Sequence, residues 1–328
     1  MSASQNVLVL GAGELGMSIL RAFAEARDPA RARVTAMLRP ESLASPDESK
    51  QRDQHAIRNW GFSVLPFDIS AATVAQLAAT IAPFDLVISC TGFSAGTGTQ
   101  VQIAQAVLAA RVKRFVPWQF GVDYDRIGHG SAQDLFDEQL QVRDLLRSQR
   151  GKDGEAPVTQ WKIISTGIFC SFLFEPWFGI VEPQRSNGPE VVVRALNSWE
   201  NAVTVTTVED IGTLTVQVVL SPDTEWDSVT FVAGDTITYG QLAQLVQEAV
   251  PSDVSVRTEV WSSSHLESEL LKDPTKVICK YRVVFAAGVG ISWDKQESWN
   301  ERHGIETTTV GQWLAANPFV LVHQEVEG

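Results

Sequence analysis

The chain has 328 residues, 44% hydrophobic and 20% charged, which suits one large or two modest globular domains with an ample core and argues against disorder. A formal net charge of -13 and a pI near 4.9 argue against a nucleic-acid or anionic-membrane partner, which would be repelled over most of the surface. Cys90, Cys170 and Cys279 lack metal-ligand spacing and read as reduced thiols of a soluble cytoplasmic protein; Met1 to Gln5 is too short and polar for a signal peptide, and no apolar run reaches transmembrane length.

The first element is Asn6 to Ser18, NVLVLGAGELGMS. An apolar run ends at Leu10, then Gly11, Gly13 and Gly16 follow at G-x-G-x-x-G spacing, and a helical pattern continues through Ile19, Leu20 and Phe23. A strand, a tight turn and a helix N-terminus in that order form the cradle for a dinucleotide pyrophosphate. Gly11 permits the turn, Gly13 lets backbone approach the phosphates, and Gly16 lets the helix pack on the sheet. Glu14 and Leu15 lie in the first helical turn and belong to the same cradle.

Arg33 to Leu38 reads as a second strand, with Arg39 at its end. An acidic residue there would bond the 2′-hydroxyl of NAD, whereas a cation accommodates the 2′-phosphate of NADP, so NADP(H) is the expected cofactor. The competing reading is that Arg39 only caps the strand before Pro40. Lys50 and Arg52 lie in a polar stretch and read mainly as loop, with a second phosphate-site cation as the alternative.

Phe62 to Phe67 is a third strand, ending at Asp68, and Ala71 to Ile81 a helix. The fourth strand, Asp85 to Cys90, runs into the small-residue loop Thr91 to Gly96, where Thr91 and Gly92 are expected to line the cofactor and Phe93 to cover it. Gln100 to Ala110 reads as a helix and Arg114 to Pro117 as a fifth strand. The aromatic, glycine-rich loop that follows, through Trp118, Gln119, Phe120, Tyr124 and His129, is a candidate wall of the nicotinamide and substrate pocket.

Ser131 to Gln149 reads as a helix with Leu135, Gln139, Val142 and Leu146 on one face, which places a polar amide on an inward stripe. A pocket ligand or nearby backbone would satisfy it. Gly151 to Pro157 is a loop and Gln160 to Ile164 a sixth strand, ending at Ser165, Thr166 and Gly167. Ile168 to Ile180 is rich in aromatics, including Phe169 and Phe172. Val203 to Val208, a helix to Leu220, a strand over Thr230 to Ala233, a helix over Tyr239 to Ala249 and a mixed tail complete the chain.

This order predicts an α/β fold, a doubly wound parallel sheet of Rossmann type over residues 1–167, with a smaller C-terminal α/β substrate-binding region over 168–328 and some strands returning to the main sheet. None of the three tyrosines has a Lys four residues later, which removes the usual proton relay of short-chain dehydrogenases. No nucleophile elbow or zinc spacing is present, so no metal is expected.

VLVLGAGELG, Arg39, KRFVPWQFGVDYD, FDEQLQVRDLL and VEDIG together resemble the NmrA-like and isoflavone-reductase-like group of atypical short-chain dehydrogenases, over most of the first 220 residues. The resemblance implies an NADP-binding Rossmann domain, a small substrate domain and reduction of aromatic or other secondary metabolites. It also places Gln139 where reductases of the group carry a catalytic Lys, and Trp118-Gln119 where they carry Ser-Glu.

Three functions follow from that resemblance. The first is NADPH-dependent reduction of an aromatic or alkaloid-like metabolite at a C=N, C=C or benzylic carbon. The second couples reduction to cyclisation or rearrangement of a polycyclic substrate, and the third is a non-catalytic NADP-sensing regulator. For the enzyme, Gln139, His129 and Tyr124 are the catalytic candidates, with Asp123 beside them. Gln119, Phe120, Thr166, Gly167 and Ile168 join the cofactor set, and Trp118, Gln139, Phe169 and Phe172 the substrate set. A monomer or homodimer acting on a small aromatic molecule is expected.

Overall fold

The structure is a computed structural model that describes residues 5–26, 32–149, 157–183 and 190–321. The loop expected over Gly151 to Pro157 falls, up to residue 156, outside the described residues. Among the described residues the strands are β1 (Gln5–Leu10), β2 (Ala32–Leu38), β3 (Ser63–Pro66), β4 (Leu86–Ser89), β5 (Arg114–Val116), β6 (Gln160–Ser165), β7 (Ile168–Phe169), β8 (Val181–Glu182), β9 (Glu190–Leu196), β10 (Ala202–Thr206), β11 (Ser228–Phe231), β12 (Asp235–Thr238) and β13 (Ser255–Trp261).

Seven of them make one sheet in the order β11-β6-β5-β4-β1-β2-β3, and the pairings from β3 across to β6 are parallel. The order reverses between β1 and β4, so their carboxyl ends part and leave a crevice, the place where open parallel sheets bind ligands. Val7 to Leu10 are fully buried, as expected of a central strand covered on both faces. The doubly wound α/β sheet expected from the sequence is thus the observed fold.

The helices that position the site are α1 (Glu14–Glu25), α2 (Pro40–Leu43), α3 (Glu48–Asn59), α4 (Val74–Ile81), α5 (Thr99–Ala110), α6 (Tyr124–Ile127), α7 (Leu135–Arg147) and α8 (Val208–Leu220). Leu15, Ile19, Leu20 and Phe23 form the buried stripe of α1. Leu77 and Ile81 of α4, Ile103 and Val107 of α5, and Val142 and Leu146 of α7 meet Leu8, Val87 and Phe115 of the sheet in one core. Among the described residues no helix is long and apolar enough to cross a membrane.

The chain divides into two compact units, 1–120 with 137–164 and 211–230, and 121–136 with 165–210 and 231–328. The second unit takes in 121–136, ahead of the boundary expected at 167, while 211–230 belongs with the first unit and carries most of β11, a return to the main sheet of the kind expected from the sequence. That return is made by α8, where a Cβ on Gly212 would stand 2.2 Å from the Ser18 hydroxyl of α1, a contact only glycine permits.

In the second unit, β10 lies between β12 and β7, and β9 between β13 and β8. The β9–β13 pair is parallel over seven residues and has no counterpart among the strands expected from the sequence. EVVVRAL carries an apolar run broken only by Arg194, without the alternation that marks a half-exposed strand. The helix expected from Ser131 starts only at Leu135, because the Gln133 side chain accepts from Leu135 N at 3.3 Å and its backbone oxygen is taken by Phe136 N and by the Ser131 hydroxyl. The aromatic run after β7 is a 3₁₀ turn over Cys170–Phe174.

Candidate dinucleotide-binding and active site

The carboxyl ends of β1 to β4 open on a cavity of about 480 Å³. Gly11, Gly13, Arg39, Asp68, Thr91 and Gly92 line it, together with Ser42 and Lys50. Gly11 has φ +90°, in the range that favours glycine, and its N–H is spent on Met37 O at 3.0 Å, which turns the chain without loosening the sheet. A Cβ on Gly16 would lie 2.2 Å from Gly11 O, so the close approach of α1 to the turn requires glycine. Gly13 is the N-cap of α1 and makes no side-chain cap, while a Cβ there would meet no protein atom within 4 Å. The first-turn N–H groups therefore face open space in the cavity wall, the arrangement that accepts a pyrophosphate. Glu14 is exposed in that turn, whereas the Leu15 side chain is buried in the core, so Leu15 offers the cavity only its backbone.

Arg39 is exposed at the end of β2 and caps the short α2 with its backbone. Among the described residues no carboxylate lies within ion-pair distance of Arg39 or of Lys50 on α3. Asp68, at the end of β3, is held below the usual carboxylate range first by the hydroxyl of Ser70 and, more weakly, by the charge of Arg39. Arg39, Ser42 and Lys50 line the cavity that Asp53 and Asp68 also line, and with no acidic residue at the end of β2 these donors fit a 2′-phosphate. Lys50 sits in a stretch that reads mainly as loop; its place on α3, a helix that packs against α2 and β3, is what brings it to the cavity. Gln54 fixes that packing by donating to Ser42 O at 3.0 Å.

On the other side of the crevice, Thr91 Oγ1 donates to Leu10 O at 3.2 Å and so ties β4 to β1 at the switch point. Trp118 lies against Gly92, whose Cβ would be 3.1 Å from the indole, and Phe93 meets Trp118 edge-on at 4.5 Å. Cys90 lines the same cavity, but burial pushes its thiol well above the ordinary range, so it offers no nucleophile.

Gln119, expected to meet the cofactor, has both side-chain polar atoms engaged inward. Its Nε2 donates to Gln139 O at 2.9 Å and its Oε1 accepts from Arg143 Nε at 2.7 Å. Phe120 beside it is buried. Gln139 on α7 is 0% exposed, and neither its Oε1 nor its Nε2 has a partner among the described residues. Arg143, one turn further on, is also 0% exposed. It is absent from the residues singled out in the sequence, although it stands four residues from Gln139 and hence on the same helix face.

The remaining expected residues lie in the second unit. Tyr124 is 3% exposed, with its ring edge-on to Phe136 at 5.0 Å and its hydroxyl over Gly121, so it is a core residue rather than an open proton donor. Asp123 caps α6, and His129 lies in the loop beyond it, half-buried to exposed with its neighbours. Thr166 is buried and accepts at its backbone oxygen from Thr206 Oγ1 at 2.7 Å. Gly167 has φ +72° and a Cβ there would strike Thr204 O, while Ile168 and Phe169 form β7. Phe169 and Phe172 are half-buried and 5.4 Å apart, with Trp177 5.4 Å beyond Phe172. The three rings form one partly exposed aromatic cluster of the second unit.

Known proteins resemble this chain in sequence and in fold. A Gibberella moniliformis protein described as an NmrA-like family domain-containing oxidoreductase is 39% identical over 311 residues, covering 95% of this chain and 97% of that protein. The crystal structure of an isoflavone reductase superposes with a TM-score of 0.75 at 19% identity, covering 96% of this chain and 99% of the other. AtPrR2, solved with NADP+ and (+)pinoresinol, gives 0.74 at 16% identity over 96% and 99%. The model of the NmrA-like family matches residues 3–275, and the chain belongs to that family.

Proposed function

We propose that the chain is an NADPH-dependent reductase of an aromatic or alkaloid-like small molecule, with hydride delivered to a C=N, C=C or benzylic carbon. The observation that carries this reading is the cavity of the first unit, in which the uncapped start of α1 and the cations Arg39 and Lys50 face the same space. The N–H groups after Gly13 would hold the pyrophosphate, Arg39, Ser42 and Lys50 the 2′-phosphate, and Thr91 and Gly92 the nicotinamide half. NADPH supplies hydride when bound there. The 39% identical relative is named an oxidoreductase, and a fold neighbour was solved with NADP+ and (+)pinoresinol, which supports the same reading.

What this chain adds to the chemistry is positioning and exclusion of water. Trp118 and Phe93 give an apolar edge beside Gly92, against which an aromatic ring stacks. Gln139 cannot act as a general acid, because a carboxamide has no proton to release near neutral pH. Substrates that arrive activated, such as an iminium, suit a site of this kind.

The test is fluorescence titration with NADPH and NADH, followed by NADPH oxidation in the presence of 3,4-dihydroisoquinolinium, cyclic enones and benzylic ethers. NADPH binding at least about tenfold tighter than NADH, with turnover, is the expected result. Tight NADPH binding with no turnover on any of these overturns the reductase reading in favour of an NADP-sensing regulator, and equal affinity for both nucleotides removes the 2′-phosphate site.

A further inference from the structure

Strand β13 of the second unit is the edge of its sheet: among the described residues it pairs with β9 alone. Asn197 N–H donates to Trp261 O at 2.8 Å, so Trp261 turns its backbone polar groups toward β9. By the alternation of a strand Glu259 and Arg257 do the same, and the N–H and C=O of Val256, Thr258 and Val260 point away from the sheet. Such an edge is a template for another strand, and soluble proteins blunt it with charge, Pro or a bulge. The paired register of β13 has no Pro and no bulge, and its charges are of both signs, Arg257 and Glu259, two residues apart on one face. Arg257 donates to Glu190 Oε2 at 3.0 Å and pairs with Glu259, which also accepts from Arg194 Nε at 2.7 Å. On the opposite face Thr258 is exposed and Val260 is 46% exposed.

From this we infer that β13 pairs antiparallel with β13 of a second copy of this chain, about a two-fold axis at Thr258, joining two three-stranded sheets into one. In that register Val256 lies opposite Val260 of the second copy and Thr258 opposite its own counterpart, so every outward N–H and C=O of these residues is bonded. Arg257 then lies opposite Glu259 of the second copy, in the kind of pair where side chains approach most closely, and symmetry repeats the contact. The other registers fail for stated reasons. An axis at Arg257 sets Arg257 against Arg257, and an axis at Glu259 sets Glu259 against Glu259, like charges directly opposite. An axis at Val256 or Val260 leaves outward groups of the strand unpaired. Two signs at this spacing thus select one self-complementary register, which charges that merely protect an edge would not do. One strand pair with its flanking side chains is a small interface, so a dissociation constant of about 1–100 μM is expected. The contact uses nothing of the cofactor cavity and stands independently of the reductase reading.

The test reads the mass of the full chain in solution by light scattering, from about 1 to about 300 μM. The 35.9 kDa chain is expected to pass from monomer to dimer over that range. Thr258→Pro removes only an outward N–H, which an edge strand tolerates, and should stay monomeric throughout while keeping its melting temperature at the lowest concentration within about 2 °C. Thr258→Cys should link two chains by a disulfide in air, because the Cα atoms of that pair stand about 5.5 Å apart. Val256→Cys should not, since its counterpart lies four residues further along the strand. If Thr258→Pro does not fold, the charges decide: Arg257→Glu and Glu259→Lys should each lose the dimer alone, and an equimolar mixture should regain it, because each chain then faces the opposite sign. A wild type that stays monomeric to about 300 μM overturns the inference. So does a dimer that survives in Thr258→Pro or in either charge variant alone, or a disulfide that forms at position 256 and not at 258.

Discussion

Arg143 donates from Nε to the side-chain oxygen of Gln119 at 2.7 Å, and through Gln119 a fully buried guanidinium is tied to the backbone of Gln139. Burial makes each of these bonds expensive to lose, since neither the guanidinium nor the Gln139 carbonyl can turn to water instead. Gln119→Leu should therefore destabilise the protein by about 2–4 kcal/mol in urea denaturation. Gln119→Glu should recover only part of this, because a carboxylate keeps the acceptor for Arg143 but sets a second oxygen against Gln139 O. Full recovery by Glu would show that the bond to Gln139 is dispensable.

Gly16 and Gly13 separate folding from binding. At Gly16 a Cβ would collide with Gly11 O, a backbone atom that cannot move without shifting the end of β1, so Gly16→Ala should lower stability by roughly 2–4 kcal/mol. At Gly13 a Cβ meets no protein atom and φ is an ordinary −75°. Gly13→Ala should thus fold with an unchanged urea midpoint yet bind NADPH at least about tenfold more weakly, because the methyl group stands where the pyrophosphate approaches. Unimpaired binding by a folded Gly13→Ala would move the pyrophosphate away from this turn.

These glycines show what is legible in the sequence. A turn that needs positive φ, followed by a helix that must pack within van der Waals contact of it, leaves a fixed spacing, and the strand order of the first unit follows from local alternation. The same holds for Gln139, whose place on an apolar stripe is a matter of helical period. Lys50 and Gln119 are less legible because their roles depend on where their elements dock: Lys50 reaches the cavity only through the packing of α3, and Gln119 is turned inward by Arg143, a partner 24 residues away. Tyr124 reads as a proton donor in an aromatic loop, but ring contacts with Phe136, itself edge-on to Tyr281 at 5.6 Å, make it core. The parallel β9–β13 pair joins segments that start at Glu190 and Ser255, too far apart for any local signal.

Arg39 is a test of cofactor choice. Among the described residues its guanidinium makes no ion pair at contact distance, acting on Asp68 only as a more distant charge, and it lines the cavity with Lys50. Arg39→Ala should weaken NADPH by about 10- to 100-fold, the range for losing a charge-assisted contact to phosphate, and leave NADH within about threefold. Lys50→Ala should act in the same direction but less strongly, because its compact, strongly hydrated ammonium is not preorganised for a phosphate. Paired titrations at fixed ionic strength measure both, and an equal loss for the two nucleotides would take Arg39 out of the site.

Glu138 closes the amino end of α5 from outside that helix. Its carboxylate accepts from Gly98 N at 2.9 Å and Gln100 N at 2.8 Å, a capping role that a local residue usually fills but that the preceding glycine cannot. Glu138→Ala should destabilise by about 2–3 kcal/mol, more than a typical exposed cap because Glu138 is buried and no water replaces it. Glu138→Gln, which keeps one acceptor but turns an amide N–H toward donors, should lie between. Hydrogen exchange at Gln100 and Val101 reads the local effect: protection there should fall in Glu138→Ala before global unfolding is affected.

Lys162, on β6, sets the alkaline behaviour of the first unit. Its ammonium donates to Glu225 O at 2.8 Å and to Ser228 Oγ at 2.7 Å, yet burial lowers its pKa to about 8, an effect that the nearby charge of Glu225 only partly offsets. The unfolded chain holds this proton up to the ordinary lysine range, so between pH 8 and about 10 the unfolded state binds more protons than the folded one. Stability contributed by this group therefore rises with pH across that window and is lowest below about pH 8, the reverse of a lysine held in an ion pair. Cys90, Cys170, Tyr239 and Tyr281, whose thiols and hydroxyls burial pushes up, resist ionising in the fold and pull the other way once the unfolded thiols titrate, from about pH 8.5, and the unfolded tyrosines, from about pH 10. The contribution of Lys162 is read as a difference: the urea midpoint of the wild type minus that of Lys162→Met, which shares the buried thiols and tyrosines, should climb from about pH 7 to about pH 10. A difference that stays constant across that range would take Lys162 out of the alkaline response.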